Sequence, residues 1–310
     1  MSTKYFAIGD VILLAASIIW GTAFVFQSVA MSVMGPYTFV TIRGLLATFV
    51  LLFIILGRSY IMPSKQLSRL GTRKGYLLSV LGGLILAAAM ITQQVGIVGT
   101  TTSKAGFITT LYIIFVPMIG TIFGQRYPLK TWFALFFGLF GFYLLSTEGH
   151  WQALNSYDLL ILLTALFYGA QIYLIDQLKH SIDSLMFSFV QFGIATFISF
   201  IPTLWIEGIN FSFLSSPEAI ISLLYVGIVS SVLAYSLQVV GQKRSSSAPT
   251  ASLMMSLEGV FATLSGVMFL AEIITWVQFL GMLFILLAIV MAQVRYSFIK
   301  KVLLKFKKIR

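Results

Sequence analysis

The stretch Ser245–Glu272, SSSAPTASLMMSLEGVFATLSGVMFLAE, decides the class of fold. It opens with serines and a proline, a pattern typical of a helix start. It then stays apolar, apart from Glu258, over roughly 20 residues, the length of helix that crosses the hydrocarbon core of a bilayer. The pattern predicts a membrane-spanning helix with a carboxylate near its middle. Because a charge at that depth costs about 2.5–3.5 kcal/mol on insertion, we expect Glu258 to face protein or water.

The composition of the whole chain supports the same class. Of the 310 residues, 59% are hydrophobic and 9% are charged, whereas about 25% are charged in an ordinary soluble domain. Too few polar residues remain to cover the surface of a soluble fold of this length. The sequence contains no cysteine, which excludes disulfides, thiolate metal sites and a cysteine nucleophile.

Ten apolar segments follow one another along the chain, separated by brief links. We therefore predict an all-α integral membrane protein with ten transmembrane helices, of which the fifth and sixth are the shortest at about 15–17 residues. The segments are Val11–Met34, Tyr37–Leu56, Tyr76–Val98, Ala105–Phe123, Trp132–Ser146, Leu159–Ile175, Leu185–Ile206, Ile220–Val240, Ala248–Leu270 and Ile273–Val294.

The basic residues predict the orientation. With ten helices, every Lys and Arg except Lys104 and Arg43 lies on the side that carries both termini. The positive-inside rule then places both termini in the cytoplasm, in the inner or plasma membrane of the cell. This distribution assigns most of the net charge of +11 to topology and lipid headgroups and predicts no nucleic-acid partner. The basic tail 295–310 is either an amphipathic helix on the inner leaflet or a topology anchor.

The two halves of the sequence resemble each other. Trp20-Gly21 aligns with Tyr168-Gly169, and Pro117–Gly124 aligns with Gly259–Gly266. Each half holds five segments, an odd number, so the second half enters the membrane from the opposite side. We therefore predict two inverted repeats, 1–147 and 148–294, with a site near the midplane where they meet.

Short motifs spread from Val11 to Val294 have the character of one family. They are Trp20-Gly21-Thr22, Pro36, Arg43, Gln94, Gly96-Ile97, Thr102–Ile108, Pro117, Glu258–Phe261 and Glu272. With these motifs the chain resembles the drug/metabolite transporter superfamily, of the ten-helix, two-repeat EamA type. The family often has a proline after the glutamate of the ninth helix, where this chain has Gly259, so a kink is less strongly predicted there than at Pro117.

The resemblance implies a carrier of small metabolites, often an exporter, that works by alternating access. It also implies a central cavity built from the first, third, fourth, sixth, eighth and ninth helices, with the fifth and tenth at the periphery.

Three residues at mid-depth are the first candidates for the site. Glu258 could carry a proton or balance a cationic group, or it could tie its helix to a neighbour by a hydrogen bond. Trp20 and Tyr168 occupy matching positions in the two halves and could line a cavity or bind cations through their ring faces. Helix packing is the alternative for both.

Polar side chains in the apolar segments are the second group of candidates. An amide that faced lipid would be costly, so each should face protein or water. Gln94 and Gln171 are the preferred ligands, and inter-helix hydrogen bonding is the alternative for the whole set: Gln27, Gln93, Gln94, Tyr112, Gln171 and Gln238. Lys104 could attract an anionic group of the substrate. Arg43 could do the same. Contact with headgroups or a salt bridge is the alternative for both residues, and for Arg43 we favour this alternative.

The best-supported function is secondary active transport, most often export, of small metabolites such as amino acids or related compounds. The predicted substrate-binding residues are Trp20, Gln94, Lys104, Tyr112, Tyr168, Gln171 and Glu258. Proton coupling or exchange is open, as is the oligomeric state, and no cofactor or metal is predicted. A channel or a non-transporting membrane subunit is the alternative. An intramembrane enzyme is disfavoured because both histidines, His150 and His180, fall in loops.

Overall fold

The computed structural model describes residues 8–61, 71–148, 155–178, 182–208, 211–244 and 254–293. Within these ranges the regular structure is helical, and the one β-type contact is an isolated bridge between Gly71 and Ile182. The serine-rich helix start at 245–253 and the basic tail at 295–310 lie outside the described residues.

Twelve α-helices are described, and two stretches of wider π-helix continue or join them. The π-helix Thr203–Glu207 extends α8, and the π-helix Tyr225–Ala234 joins α9 to α10. The α-helices are α1 Ile8–Ala30, α2 Pro36–Ile61, α3 Arg73–Ile97, α4 Thr102–Thr109, α5 Tyr112–Ile122, α6 Leu129–Thr147, α7 Ser156–Leu178, α8 Ser184–Pro202, α9 Pro217–Leu224, α10 Tyr235–Arg244, α11 Glu258–Leu270 and α12 Trp276–Gln293.

Eight spans in the described part of the chain are long and apolar enough to cross a membrane. Among them, α4 and α5 together form the span Thr102–Ile122, and α9, its π-helix and α10 form the span Pro217–Gln242. Two shorter apolar helices follow, Met254–Leu270 and Trp276–Met291. The fold is thus all-helical, with at least eight helices able to span the bilayer.

The fifth and sixth segments are longer in the structure than their apolar cores. The corresponding helices, α6 and α7, have 19 and 23 residues because polar residues at their ends are also helical. Ahead of α7, the side-chain oxygen of Asn155 accepts a hydrogen bond from the backbone N–H of Tyr157 at 2.9 Å. A hydropathy profile alone does not locate these polar helix ends, because it contains no information about the side chains that cap a helix.

Two helical segments are interrupted inside the bundle. The fourth is broken at Thr110 and Leu111, between α4 and α5, and the ninth turns at Leu257 before α11 begins at Glu258. Pro117 lies within α5 and not at the break. The sequence favoured a kink at the proline, whereas the structure places the interruption N-terminal to it.

The interior holds separate apolar clusters. One, the α5–α12 cluster, includes Leu111, Ile114, Leu145 and Ile285. Another, the α2–α3 cluster, includes Val40, Leu51, Leu86 and Phe192. Trp20 and Tyr168 pack against both clusters.

Large side chains on the outside of the bundle are highly exposed. Phe53, Trp205 and Phe269 are 69%, 86% and 68% exposed, which suits a surface that contacts lipid and not water.

Candidate functional site: a central polar cavity

A cavity lies at the centre of the bundle. Its lining comes from α1, α2, α3, α4, α5, α7 and α10, from the π-helix before α10, and from the start of the ninth segment. The lining residues are Trp20, Ala23, Phe24, Gln27, Arg43, Gln93, Thr109, Tyr112, Tyr168, Gln171, Ile172, Ser230, Tyr235, Gln238, Met255 and Glu258.

Aromatic rings form much of the wall. The Trp20 indole meets the Tyr235 ring edge-on, with ring centroids 5.2 Å apart, and its Nε1 lies 3.4 Å from the Ser230 carbonyl oxygen. The Tyr168 hydroxyl donates to Gln93 Oε1 at 3.2 Å. Rings with one polar end provide apolar walls while keeping a few directed hydrogen bonds.

Arg43 supplies a buried positive charge. The residue is 2% exposed, and its Nη1 and Nη2 donate to Gln27 Oε1 and Ser231 Oγ, both at the long distance of 3.3 Å. Its Nε is buried without a hydrogen-bond partner. These neutral, distant acceptors leave the guanidinium able to bind an anion.

Glu258 supplies a buried carboxyl group and is 4% exposed. It begins α11, directly after the turn at Leu257, so the helix break directs it into the cavity. The carboxyl group faces the hydroxyl of Tyr112, which begins α5 after the other break, and neither Glu258 Oε1 nor this hydroxyl has a partner within ordinary hydrogen-bond geometry. Among the described ion pairs, Arg43 and Glu258 are not bonded to each other.

The cavity gathers buried polar atoms that lack hydrogen-bond partners. They are Arg43 Nε, Thr109 Oγ1, Tyr112 Oη, Gln238 Oε1 and Glu258 Oε1. Each such atom costs about 1–3 kcal/mol if it stays unsatisfied, and more if it is charged. Their concentration around one space makes this cavity the candidate functional site.

The structure brings five of the seven predicted site residues together. Trp20, Tyr112, Tyr168, Gln171 and Glu258 all line the cavity. Gln171 also donates through Nε2 to Gln191 Oε1 at 3.3 Å, so it serves partly as a link between helices.

Gln94 and Lys104 lie away from this cavity. The Gln94 Nε2 is 3.4 Å from the backbone oxygen of Gln27, and it is the adjacent Gln93 that faces the cavity. Lys104 Nζ lies 3.3 Å from the Ser146 carbonyl oxygen and 3.9 Å from Asp158 Oδ2. In this conformation both residues link helices, and a ligand role for them remains a prediction.

Arg43 is where the preferred interpretation of the sequence was wrong. Its charge suggested contact with headgroups or a salt bridge, but the side chain lines the cavity and adds α2 to the expected lining helices. Tyr235, Ser230 and Thr109 were not singled out from the sequence. A polar aromatic residue inside an apolar segment was the available signal for Tyr235, whereas the π-helix that presents Ser230 has no sequence signature that we can identify.

The described bundle thus encloses a cavity lined by polar and aromatic side chains among apolar helices. Comparison with known proteins gives the family. The chain belongs to the EamA-like transporter family, within the drug/metabolite transporter superfamily, whose model matches residues 7–147 and again 155–293. The protein is therefore a multi-pass membrane protein of a transporter family.

Two individual proteins are similar to the chain. An uncharacterized transporter of Archaeoglobus fulgidus is 30% identical over 287 residues, which cover 92% of this chain and 86% of the relative. A crystal structure with 16% sequence identity superposes with a TM-score of 0.66 and covers 92% of this chain and 95% of the other. At that identity the likeness concerns the fold alone.

Proposed function

We propose that this protein is a secondary active transporter that exports small dipolar metabolites, such as amino acids or related compounds, by alternating access to the central cavity. Its action is transport without chemical conversion of the cargo. The observation that carries the proposal is a buried guanidinium and a buried carboxyl group that line one cavity without pairing with each other.

The proposed architecture is ten spans in two inverted repeats, with both termini in the cytoplasm. The helix contacts support the two repeats, because the pattern of contacts stays the same when the helices of each half are exchanged for their equivalents in the other half. α3 of the first half packs against α7 and α8 of the second half. In the equivalent contacts, the α9–α10 span of the second half packs against α1 and α2 of the first half. Likewise α1 packs against α11, and α7 packs against α5. The pairs α2–α8, α4–α11 and α6–α12 join equivalent helices of the two halves.

A zwitterion matches the unpaired groups of the cavity. Its carboxylate would accept hydrogen bonds from Arg43, and its ammonium group would donate to Glu258 and to the neighbouring acceptor Gln238. A purely cationic cargo would leave the charge of Arg43 uncompensated, which is costly away from water. A purely anionic cargo would leave Glu258 as the neutral acid, without the cation that its ionised form needs. The aromatic walls formed by Trp20, Tyr168 and Tyr235 would then contact the side chain of the cargo.

Proton exchange would connect cargo binding to an energy source. A buried carboxyl group is stable either as the neutral acid or beside a cation. Glu258 would therefore release a proton when the ammonium group of the cargo binds and take one up when the cargo leaves. Alternating access then makes the two movements an exchange across the membrane.

Matched sets of three compounds test the cargo class. Each set consists of a free amino acid, its amide, which lacks the carboxylate, and its N-acetyl derivative, which lacks the ammonium group. We expect the free amino acid of the recognised set to raise Tm by about 5 °C near 100 times its Kd, and the two derivatives to have little effect. Thermal unfolding of the purified protein measures this.

Counterflow in proteoliposomes separates the alternative functions. A carrier exchanges labelled for unlabelled cargo at a rate that saturates, whereas a channel does not saturate in this way and a non-transporting subunit gives no flux. Equal stabilisation by all three members of a set, or by none across a broad library, would contradict the zwitterion proposal.

A further inference from the structure

Two carboxylates near one face of the bundle bind helix N-termini in the same way. We call this the α2/α4 face, because α2 and α4 begin there. It is the side of the membrane on which the sequence analysis places Lys104. Glu207, at the end of the π-helix after α8, accepts from the backbone N–H groups of Tyr37 and Thr38 at 2.9 and 2.7 Å. It also accepts from the Thr38 hydroxyl. The first turn of α2 is thus bound to the end of α8.

Glu272 repeats this arrangement. Its two carboxylate oxygens accept from the backbone N–H groups of Thr102 and Ser103 at 2.6 and 3.0 Å, and the Ser103 hydroxyl donates to the same group. Ala271, in the left-handed conformation with φ 52°, turns the chain at the end of α11 so that Glu272 reaches α4. The first turn of α4 is thus bound to the end of α11.

The helices that Glu207 joins are also tied at their other ends. Arg58 near the end of α2 pairs with Asp183 at the start of α8, with Nη1 and Oδ2 2.9 Å apart. In between, the Thr41 hydroxyl bonds to the hydroxyls of Ser199 and Thr203 at 3.0 and 2.9 Å. The α2–α8 pair is therefore joined by polar side chains at both ends.

The helices that Glu272 joins are short and lead directly to the cavity. α4 ends at the break after Thr109, and α11 begins at Glu258, and both residues line the cavity. The two helices therefore occupy the space between the cavity and the α2/α4 face.

The contact between α4 and α11 depends on small residues. Gly106 lies against Ala262, and a Cβ on Gly259 would approach the Phe107 Cα and the Thr110 Cγ2 to 3.1 Å. Nearer the face, a Cβ on Gly266 would lie 2.6 Å from Glu272 Oε2. We call this contact the α4–α11 seam. Small residues let the two helix backbones approach closely, and nearer the face the charge-assisted bonds of Glu272 join the end of α11 to the start of α4.

We propose that Glu272 is the latch of a gate: its bonds to Thr102 and Ser103 hold the α4–α11 seam closed, and they break when the cavity opens to the α2/α4 face. The inference rests on the proposed function in one respect, which is that the cavity opens to the two faces in turn. Glu207 makes matching bonds between α2 and α8, which are also joined at their other ends, and is the natural control.

A single introduced cysteine can report opening of the seam, because the chain has no cysteine of its own. Thr110 is fully buried beside Gly259, so Thr110→Cys provides a thiol that reacts once the seam opens. In the Thr110→Cys background, we expect Glu272→Gln to raise the rate of labelling by a membrane-impermeant maleimide from the α2/α4 face roughly 10-fold, since hydrogen bonds to a charged group are lost. Glu207→Gln should leave the rate within about twofold of the background rate, although it removes the same kinds of bonds.

A second variant guards against misfolding. Ser103→Ala removes one hydroxyl and should raise the labelling rate in the same direction by a smaller factor. Size-exclusion profiles and Tm show whether each variant is folded. An unchanged labelling rate in folded Glu272→Gln protein, or an equal increase in Glu207→Gln protein, would overturn the latch. The cargo experiment is independent of the labelling experiment. If compounds stabilise the protein but Glu272→Gln leaves the labelling rate unchanged, the latch is rejected and the transporter is retained. If Glu272→Gln raises the labelling rate but no compound stabilises the protein, the latch is retained and the transporter is rejected.

Discussion

Replacing Glu258 with glutamine is expected to weaken cargo binding by roughly 30-fold or more, the cost of removing one partner of a buried charge pair. The change keeps the size of the side chain and removes its charge and its exchangeable proton. Any dependence of transport on a proton gradient should disappear at the same time. Binding is measured by ligand-induced thermal shift, and proton dependence by counterflow and gradient-driven uptake in proteoliposomes.

Glu218→Gln is the matched control for this substitution. Glu218 is an exposed carboxylate in the first turn of α9, hydrogen-bonded by the Ser216 hydroxyl at 2.8 Å and away from the cavity. We expect it to leave binding and transport unchanged. Wild-type affinity together with unchanged proton dependence in Glu258→Gln protein would reject the role given to this residue.

Arg43→Gln gives the complementary result. It should weaken binding of the free amino acid by a similar factor. It should also narrow the difference in affinity between the amino acid and its amide, because the site no longer holds a cation that distinguishes a cargo with a carboxylate from one without. Glu258→Gln should instead narrow the difference between the amino acid and its N-acetyl derivative. This exchange of selectivity separates a ligand role from a general loss of stability.

The second large effect is expected at Gly21, where α1 crosses α11. A Cβ at this position would lie 2.7 Å from the Glu258 backbone oxygen and 2.9 Å from the Ala262 backbone nitrogen. Gly21→Val should therefore force the two helices apart and lower the free energy of unfolding by about 1–3 kcal/mol. Because Trp20 and Glu258 flank this contact, the cavity would widen as well. Thermal unfolding in detergent measures the change in stability.

Gly57→Val is the control for the helical propensity of valine. Gly57 is an exposed position near the end of α2, and a Cβ there would meet nothing within 4 Å. We expect a small change in Tm for this variant and a large decrease for Gly21→Val. Similar Tm values for the two variants would show that close contact between α1 and α11 does not limit stability.

Hydropathy predicted the helical membrane class because long apolar runs are a direct consequence of the thickness of the bilayer. It was less informative where helices end or break. The turn at Leu257 and the break at Thr110 and Leu111 follow from how two segments meet inside the bundle, and Pro117, the strongest local signal, is not at either of them.

Depth in the apolar segments was enough to predict several of the residues that line the cavity. Trp20, Tyr168 and Glu258 occur in the middle of their apolar segments, and all three line the cavity. The direction in which a side chain points was harder to predict. Gln93 and Gln94 are adjacent in sequence and face different neighbours, and Arg43 was misjudged because a charge in an apolar helix also suits the membrane surface.

The position of Trp20 and Tyr168, each packed against both the α5–α12 cluster and the α2–α3 cluster, bears on how such a carrier can be fast. The two clusters can rotate relative to each other about the pair of aromatic rings, and the rings then exchange contacts with side chains of one cluster for contacts with side chains of the other. If both rings kept contact with the two clusters during such a swing, nearly the same apolar area would stay covered. The energy difference between its end positions would then be small enough for a gradient or a bound cargo to reverse it.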